Sequence, residues 1–403
     1  MAIRIKAARS AKELKDVFEL RYQVYVEEEG LFPGIQGDII VDLFDAVPAV
    51  VNLVAYDEET QLPVGTFRVN LEEDIALPSD ELFDFNAYRE RIREERRALG
   101  LSSPVFGSGG MLAIAKPFRK RRDVFRGLLK MACAVAASWN ITHIVATVNA
   151  TTSKIYRSLG WEFLGDKTWV EAIKGDIVPV ATELAKMHQW AFGALEDHHE
   201  LIDRFSDRFE WLLIGSQSKV FCEGSEGVEA YLVASGLVKI TQKEDESKEA
   251  LSWTTLGRGS IFGEMSLIDD LPRSASATAM ANTELVVIGK VDYWEKLKAD
   301  PAFLRAALKS FSVRLRDAGE RAVVYAHGDE ETRLNYCLQR VHDDSVALSR
   351  APKPGIAKIS LSEFAFMSNV VEERAEAFLR RCEEEGLLVF DTGEIRFLKE
   401  TRL

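Results

Sequence analysis

The sequence predicts a multidomain α+β chain: a mixed sheet with helices, then a β jelly roll with a long helix, then a short helical block ending in a strand–turn–strand. Three observations predict it. Strand-like and helix-like patterns alternate over residues 1–170, glycine-punctuated short strands run from about 199 to 300, and helical periodicity takes over at Pro301. The expected blocks are 1–195, 199–300, a connecting helix 301–328, and 329–403.

In the first block IRIKAA reads as a strand and AKELKDVFELRYQVYVEEEG as an amphipathic helix, with Leu14, Phe18, Tyr22 and Tyr25 at helical spacing. VVNLVAYD and VGTFRVNL, joined by EETQLP, read as a hairpin. GGMLAIA is an apolar strand leading into a long helix through FRGLLKMACAVAASWN, THIVATV is a buried strand, and SKIYRSLG is a short helix stopped by Gly160. The middle block shows KVFCEGSEG, AYLVASGLVKITQ, ALSWTTLGRGSIFG and TELVVIG as short strands. From Pro301 one helix of roughly 25 residues carries Phe303, Leu304, Leu308, Phe311, Leu315, Ala318, Ala322 and Tyr325, a stripe wide enough for a core and a partner helix. The last block closes with LLVFDTGEIRFLK, turning at Thr392-Gly393.

Composition narrows the function classes. A chain of 403 residues suits two to three units at about 150 residues each. With 47% hydrophobic and 29% charged residues it is not a disordered chain. The absence of an apolar run near 18 residues predicts no membrane span, and MAIRIKAARSAKELKD has no apolar signal core. Four scattered cysteines suit a cytoplasmic protein, and six histidines without H-x-x-x-H spacing predict no metal. A net charge of −13 argues against a nucleic-acid coat.

The strongest local signal is Phe262-Gly263-Glu264-Met265-Ser266-Leu267 followed by Pro272-Arg273-Ser274-Ala275. Glycine lets backbone N–H groups approach a phosphate, arginine neutralises it with a planar fork, and a nearby carboxylate accepts from a ribose hydroxyl. Together with Glu223-Gly224, Gly227, Tyr231-Leu232-Val233, Ser235-Gly236, Gly257 and Gly259, the stretch 218–296 resembles the cyclic-nucleotide-binding domain family. The resemblance implies a cyclic nucleotide, cAMP by family habit, held by Gly263, Glu264, Met265, Ser266, Arg273, Ser274 and Ala275, with Glu264 on the ribose and Arg273 on the phosphate. In catabolite-activator-like relatives the helix after this domain dimerises, which implies a homodimer through the helix after Pro301.

Residues 330–398 resemble the winged helix-turn-helix of those regulators: Ile359-Ser360-Leu361-Ser362-Glu363-Phe364-Ala365 matches the first helix and 371–385 the second. Where relatives present arginine, serine or threonine to DNA, this chain has Glu372, Glu373 and Glu376, and residues 330–403 carry fourteen acidic against eleven basic side chains. The expectation is a module serving structure or interaction ahead of DNA binding.

Residues 105–165 resemble the core of the GNAT family of acyltransferases, with SKIYRSLGW as the closest motif. The resemblance makes Tyr156 the acid for a departing thiolate. The backbone of Leu112, Ala113 and Ile114 would polarise the thioester carbonyl. The usual glycine-rich phosphate turn reads Arg119-Lys120-Arg121-Arg122-Asp123-Val124 here, so Arg119, Arg121 and Arg122 would hold the donor's phosphate by side-chain charge. ELRYQVYVEE, Asp42-Leu43-Phe44-Asp45 and Val64-Gly65-Thr66-Phe67-Arg68-Val69 further resemble autoinducer synthases and N-acyl amino-acid synthases, although their E-x-S-R-L is replaced by Gly107-Ser108-Gly109-Gly110-Met111-Leu112.

The functional expectation is a cyclic-nucleotide-regulated N-acyltransferase moving an acyl group from acyl-CoA or acyl-ACP to an amine. Asp42, Asp45 and Glu27 are the carboxylates for the amine, and Arg21 and Arg68 the cations for an acceptor carboxylate. A cAMP-regulated lysine acetyltransferase using acetyl-CoA and a DNA-binding regulator sensing an acyl metabolite are the alternatives.

Overall fold

The computed structural model describes residues 2–32, 34–192, 208–242, 251–347, 355–357, 359–391 and 393–398. The expected junction at 195–199 and Thr392 of the terminal turn lie outside the described residues. The described chain forms two compact units, residues 1–214 with 284–288, and 215–283 with 289–403. The sequence expectation opens the second block at 199, whereas strand Glu210–Ile214 and the segment 284–288 group with the first unit.

The first unit is built on one sheet. Its strands are β1 (Ile3–Ala7), β2 (Val50–Asp57), β3 (Pro63–Leu71), β4 (Phe106–Ile114), β5 (His143–Asn149), β6 (Glu162–Phe163), β7 (Thr168–Val170), β8 (Gly175–Glu183) and β9 (Glu210–Ile214). The order is β9-β1-β2-β3-β4-β5-β8-β6, with β7 also on β8. β4 and β5 pair in parallel and their other neighbours pair antiparallel. Helix α1 (Ala11–Tyr22) starts at a capping box between Ser10 and Glu13, and continues as a π-helical turn, Gln23–Glu28. Sequence spacing predicts one uninterrupted helix there, because Phe18, Tyr22 and Tyr25 keep an α-like interval while the backbone widens.

Helix α2 (Asn86–Ala98) buries Tyr88 and Ile92 in a cluster with Phe106 of β4 and Val145 of β5. Helix α3 (Arg122–Ser138) covers the sheet, burying Val124, Leu128, Met131 and Val135. At Gly127 a Cβ would lie 2.5 Å from Cδ1 of Ile5, so glycine permits helix and sheet to approach.

Two backbone features mark β4. It pairs with β5 only over Phe106–Ser108 opposite His143–Val145. Past that point the strands continue without pairing to each other. On its other side the register with β3 skips between Thr66↔Ala113 and Arg68↔Gly110, so Met111 and Leu112 share the place of one residue. This is a β-bulge, and Met111 sits at φ 50°, a left-handed conformation costly for a side chain of this size.

In the second unit β10 (Lys219–Phe221), β12 (Val238–Gln242), β13 (Leu251–Leu256) and β15 (Ser276–Ala279) form a sheet of order β10-β15-β12-β13, while β11 (Glu229–Ser235) pairs with β14 (Ile261–Phe262). The long helix Pro301–His327 begins with proline at its first position and Asp300 accepting from the N–H groups of Ala302 and Phe303. Helices Glu330–Ala347, Leu361–Ser368 and Glu372–Glu384 then pack with the hairpin Leu388–Asp391/Glu394–Phe397 around Leu338, Phe364, Leu379, Leu388 and Ile395. Asn369 in the left-handed region ends the second of these helices. Val371 offers no side-chain cap to the third, so Glu372 and Glu373 complement its N-terminal dipole.

Gly127→Val is expected to force α3 from the sheet and cost about 1–3 kcal/mol, read as a lower urea midpoint with an unchanged slope.

Candidate functional sites

The parted edges of β4 and β5 open a cavity of about 590 Å³ in the first unit. That volume is in the range of small-molecule sites, about 300–1,000 Å³. Gly109–Leu112 of β4 and Ala146–Asn149 of β5 form facing walls. Leu129, Ala132, Cys133 and Ala136, one face of α3, line it with small apolar side chains, and Ile141, Ile177 and Met187 extend the apolar surface. Polar groups gather at Tyr25, Glu29, Asn149, Thr151, Thr152 and Tyr156.

Tyr156 stands on the short helix α4 (Ser153–Ser158), its ring edge-on to Trp161 at 5.5 Å. Burial pushes its phenol up to about 12, so it holds its proton at every working pH. Of the residues expected to hold the acyl donor, Leu112 lines the cavity. Ala113 is buried against Leu20 and Val24, and the Ile114 carbonyl accepts from Arg119. Arg119 is also paired with Glu28 at 2.6 Å and Glu29 at 3.2 Å, and Arg121 is paired with Asp123. Lys120 and Arg122 are exposed and form no ion pair among the described residues.

The other expected residues form a separate buried cluster. Arg21 donates to both oxygens of Asp45, at 2.9 and 3.0 Å, and to Asn52. Arg68 pairs with Asp42 at 2.6 Å and Asp45 at 3.1 Å. Burial would raise the Asp45 pKa, but Arg21 and Arg68 outweigh it and hold the carboxyl below its usual range. Arg21, Arg68, Asp42 and Asp45 do not line the cavity. Asp42 caps the turn Leu43–Asp45, and both arginines pair internally through their Nη nitrogens, while the buried Nε of each has no partner. Glu27 is exposed on the outer side of the π-turn, and the carboxylate at the cavity is Glu29, two residues on. Tyr25, Glu29 and Asn149 escape sequence reasoning; the signal that would have found Tyr25 is its place within Arg21-Tyr22-Gln23-Val24-Tyr25, among residues already singled out.

The second unit holds a cavity of about 620 Å³ between the jelly roll and the long helix. Gly263, Glu264, Met265, Ser266, Arg273, Ser274 and Ala275 all line it. Gly263 has φ 76°, and a Cβ there would lie 2.8 Å from Nη1 of Arg273, so the guanidinium requires glycine beside it. Arg273 donates to the carbonyls of Gly263 and Glu229 and lies over the Phe221 ring at 4.3 Å. Glu264 accepts from Arg314 at 2.7 Å through one oxygen, while its other buried oxygen has no partner. Arg314, which also donates to the Ile261 carbonyl at 2.7 Å, is the residue sequence reading missed here. Its place one turn after Phe311 and next to Leu315 was the available signal. Among the described residues no cluster of His, Cys, Asp and Glu suits a metal ion, and no helix is long and apolar enough to cross a membrane.

Residues 16–183 match the family model of the N-acyl amino acid synthase FeeM, and residues 215–300 match that of the cyclic nucleotide-binding domain. The chain is 28% identical over 196 residues to the cyclic AMP receptor protein of Thermus thermophilus, covering 49% of this chain and 87% of the relative. It is 25% identical over 174 residues to the cAMP-activated global transcriptional regulator CRP of Haemophilus influenzae, covering 43% of this chain and 77% of the relative. Among solved structures it is similar to FeeM, an N-acyl amino acid synthase from uncultured soil microbes, at 14% identity and TM-score 0.36, covering 46% of this chain and 94% of that one. A FeeM-type N-acyl amino acid synthase domain and a cyclic nucleotide-binding domain thus occur on one chain.

Asp45→Ala is expected to cost about 3–5 kcal/mol, because it strands two buried guanidinium groups. The native carboxyl's pKa is depressed, so its contribution is present above the ordinary carboxylate range and fades as pH falls below it. Acid-unfolding curves of wild type and variant should therefore converge at low pH.

Proposed function

We propose that this chain is a cyclic-nucleotide-regulated N-acyltransferase of GNAT type that moves an acyl group from acyl-ACP or acyl-CoA to the amine of an amino acid. The observation that carries the reading is the apolar cavity between the parted edges of β4 and β5, closed on one side by the protonated phenol of Tyr156. The acyl chain lies along the small-residue face of α3. Backbone donors near the bulge at Met111 and Leu112 receive the thioester carbonyl. The amine attacks the carbonyl carbon, the C–N bond forms, and the C–S bond breaks after the amine's proton has passed to a base. Glu29 is the carboxylate placed to take that proton, and Tyr156 gives its own to the thiolate. Lys120 and Arg122 face the donor's phosphate or an acidic carrier.

The depth and apolarity of the cavity favour this over a lysine acetyltransferase, whose acetyl group needs little apolar surface. In the regulatory unit cAMP occupies the second cavity, with its phosphate on Arg273 and its ribose on the free oxygen of Glu264. Leu308 and Leu315 of the long helix are 59% and 76% exposed, and a second copy of the helix covers them in a homodimer. The helices Leu361–Ser368 and Glu372–Glu384 with their hairpin form a winged helix. Glu372, Glu373 and Glu376 make it an interaction module ahead of a DNA reader.

Thiol release from a panel of acyl thioesters, C2 to C16 on both CoA and ACP, with amino acids as acceptors and with or without cAMP, tests the reading. Release should favour long chains and change with cAMP; no release under any condition overturns the enzyme. Tyr156→Phe should lower kcat about 100- to 10,000-fold with little change in KM, and the wild-type rate should show no Tyr156 titration below about pH 11. Arg273→Lys loses the planar fork and should weaken cAMP binding at least about tenfold in a calorimetric titration, with the unfolding midpoint retained.

A further inference from the structure

Arg21 and Arg68, 0% and 2% exposed, pair through their terminal Nη nitrogens with Asp45, Asp42 and Asn52, while the buried Nε of each has no hydrogen-bond partner. Neither lines the cavity. The side chain that meets the cavity from this corner is Tyr25. It belongs to the π-helical turn Gln23–Glu28, where the wider winding shifts side chains out of the register that α1 sets and puts Val24 into the core and Tyr25 on the cavity. Such turns recur at functional sites. Phe32 holds the Tyr25 ring edge-on at 5.8 Å, and its phenol lies within electrostatic reach of Arg21, Arg68, Glu29 and Tyr156.

The charge in this corner is unevenly screened. Two guanidinium groups share one fully buried carboxylate, Asp45. The second carboxylate, Asp42, has a side chain 33% exposed, so water screens it more strongly. A positive field therefore remains behind Tyr25. Glu29, on the cavity beside it, is neutralised in part by Arg119 at 3.2 Å.

We propose that Tyr25 is the acceptor-recognition residue: its O–H donates to the carboxylate of the amino-acid acceptor, and the Arg21–Asp45–Arg68 cluster supplies the field that favours an anion there. This rests on the N-acyltransferase reading and adds the group that reads the amino-acid acceptor's carboxylate. The cluster selects an acceptor without touching it, and the phenol is its relay into the cavity. Burial keeps the phenol protonated, as a donor must be.

The full-length protein is titrated with N-dodecanoyl-leucine and with its carboxamide, which has the same shape and no charge. Wild type should bind the acid more tightly, and Tyr25→Phe should erase a preference of about 10- to 100-fold, the usual worth of a hydrogen bond to a charged group. Tyr25→Phe keeps the ring on Phe32, so an unchanged unfolding midpoint separates recognition from packing. In turnover, the variant should raise KM for leucine while leaving kcat and the thioester KM in place, and should leave KM for isoamylamine, the acceptor without a carboxylate, unmoved. Equal binding of acid and carboxamide by wild type overturns the proposal, as does a preference that survives in Tyr25→Phe. Thiol release that persists in either case leaves the acyltransferase reading standing, whereas absence of thiol release removes that reading alone, because the titration does not depend on turnover.

Discussion

The acyl-transfer unit depends on how soon β4 and β5 stop pairing. Three residues on each strand hold the parallel contact, and the strands then part while each keeps its outer neighbour: β4 stays on β3 to Ile114, and β5 stays on β8 to Asn149. Inner backbone edges left without a mutual ladder sit badly in an apolar interior, because an unpaired peptide group loses its hydrogen bonds to water. In the proposed reading an amide-bearing donor meets those edges. The bulge at Met111 belongs to the same constraint. It turns β4 locally while preserving β3 pairing on both sides, and a non-glycine residue held at positive φ is strain of the sort that accumulates at functional sites.

The second unit satisfies its ligand-binding groups in a different way. Arg273 is held by two backbone carbonyls, and Glu264 by the long helix through Arg314. In the proposed reading, a phosphate entering beside Arg273 competes with neutral acceptors, which an anion displaces readily. The ribose hydroxyl proposed at Glu264 would meet one oxygen that is buried and unpartnered and another bound to Arg314. Ligand and long helix therefore address the same carboxylate. In that reading a change at the nucleotide is presented to a 27-residue helix on which Leu304, Leu308, Val313, Leu315 and Val323 are exposed.

Legibility in the sequence followed locality. The nucleotide cassette is contiguous, residues 263–275, so one turn and one short helix carry every expected residue to one cavity. The order of strands and helices was likewise readable, since β2 and β3 are short apolar runs joined by a turn and α3 and the helix from Pro301 keep helical spacing. The acyl cavity was not readable at this level. It is assembled from α1's π-turn, β4, β5, α3 and α4, and no spacing along the chain reports which side chains converge there. Charged residues misled for a related reason. Asp42, Asp45, Arg21 and Arg68 have the types that catalysis uses, but a sequence does not show that they neutralise one another behind the wall. The π-turn was hidden because the apolar interval from Phe18 to Tyr25 fits an ordinary helix, and the one-residue widening that aims Tyr25 has no compositional mark.

Placement of charge, more than its total, separates the chain's chemistries. An excess of thirteen negative charges opposes polyanions everywhere except where cations are left unpaired. The run Arg119–Arg122 is partly spent: Arg119 ties the start of α3 to Glu28 and Glu29, and Arg121 turns to Asp123 at the helix terminus. Asp123 itself lies where the N-terminal dipole of α3 favours an anion. Under the proposed function, a donor phosphate would either displace that carboxylate or bind alongside it at Lys120 and Arg122, whose charges are uncommitted among the described residues. The second course costs no broken ion pair and leaves the tether from Arg119 to Glu29 intact. It accounts for the absence of the glycines that close backbone contact would need: a phosphate held by flexible side chains outside the helix terminus does not require the chain to come near it.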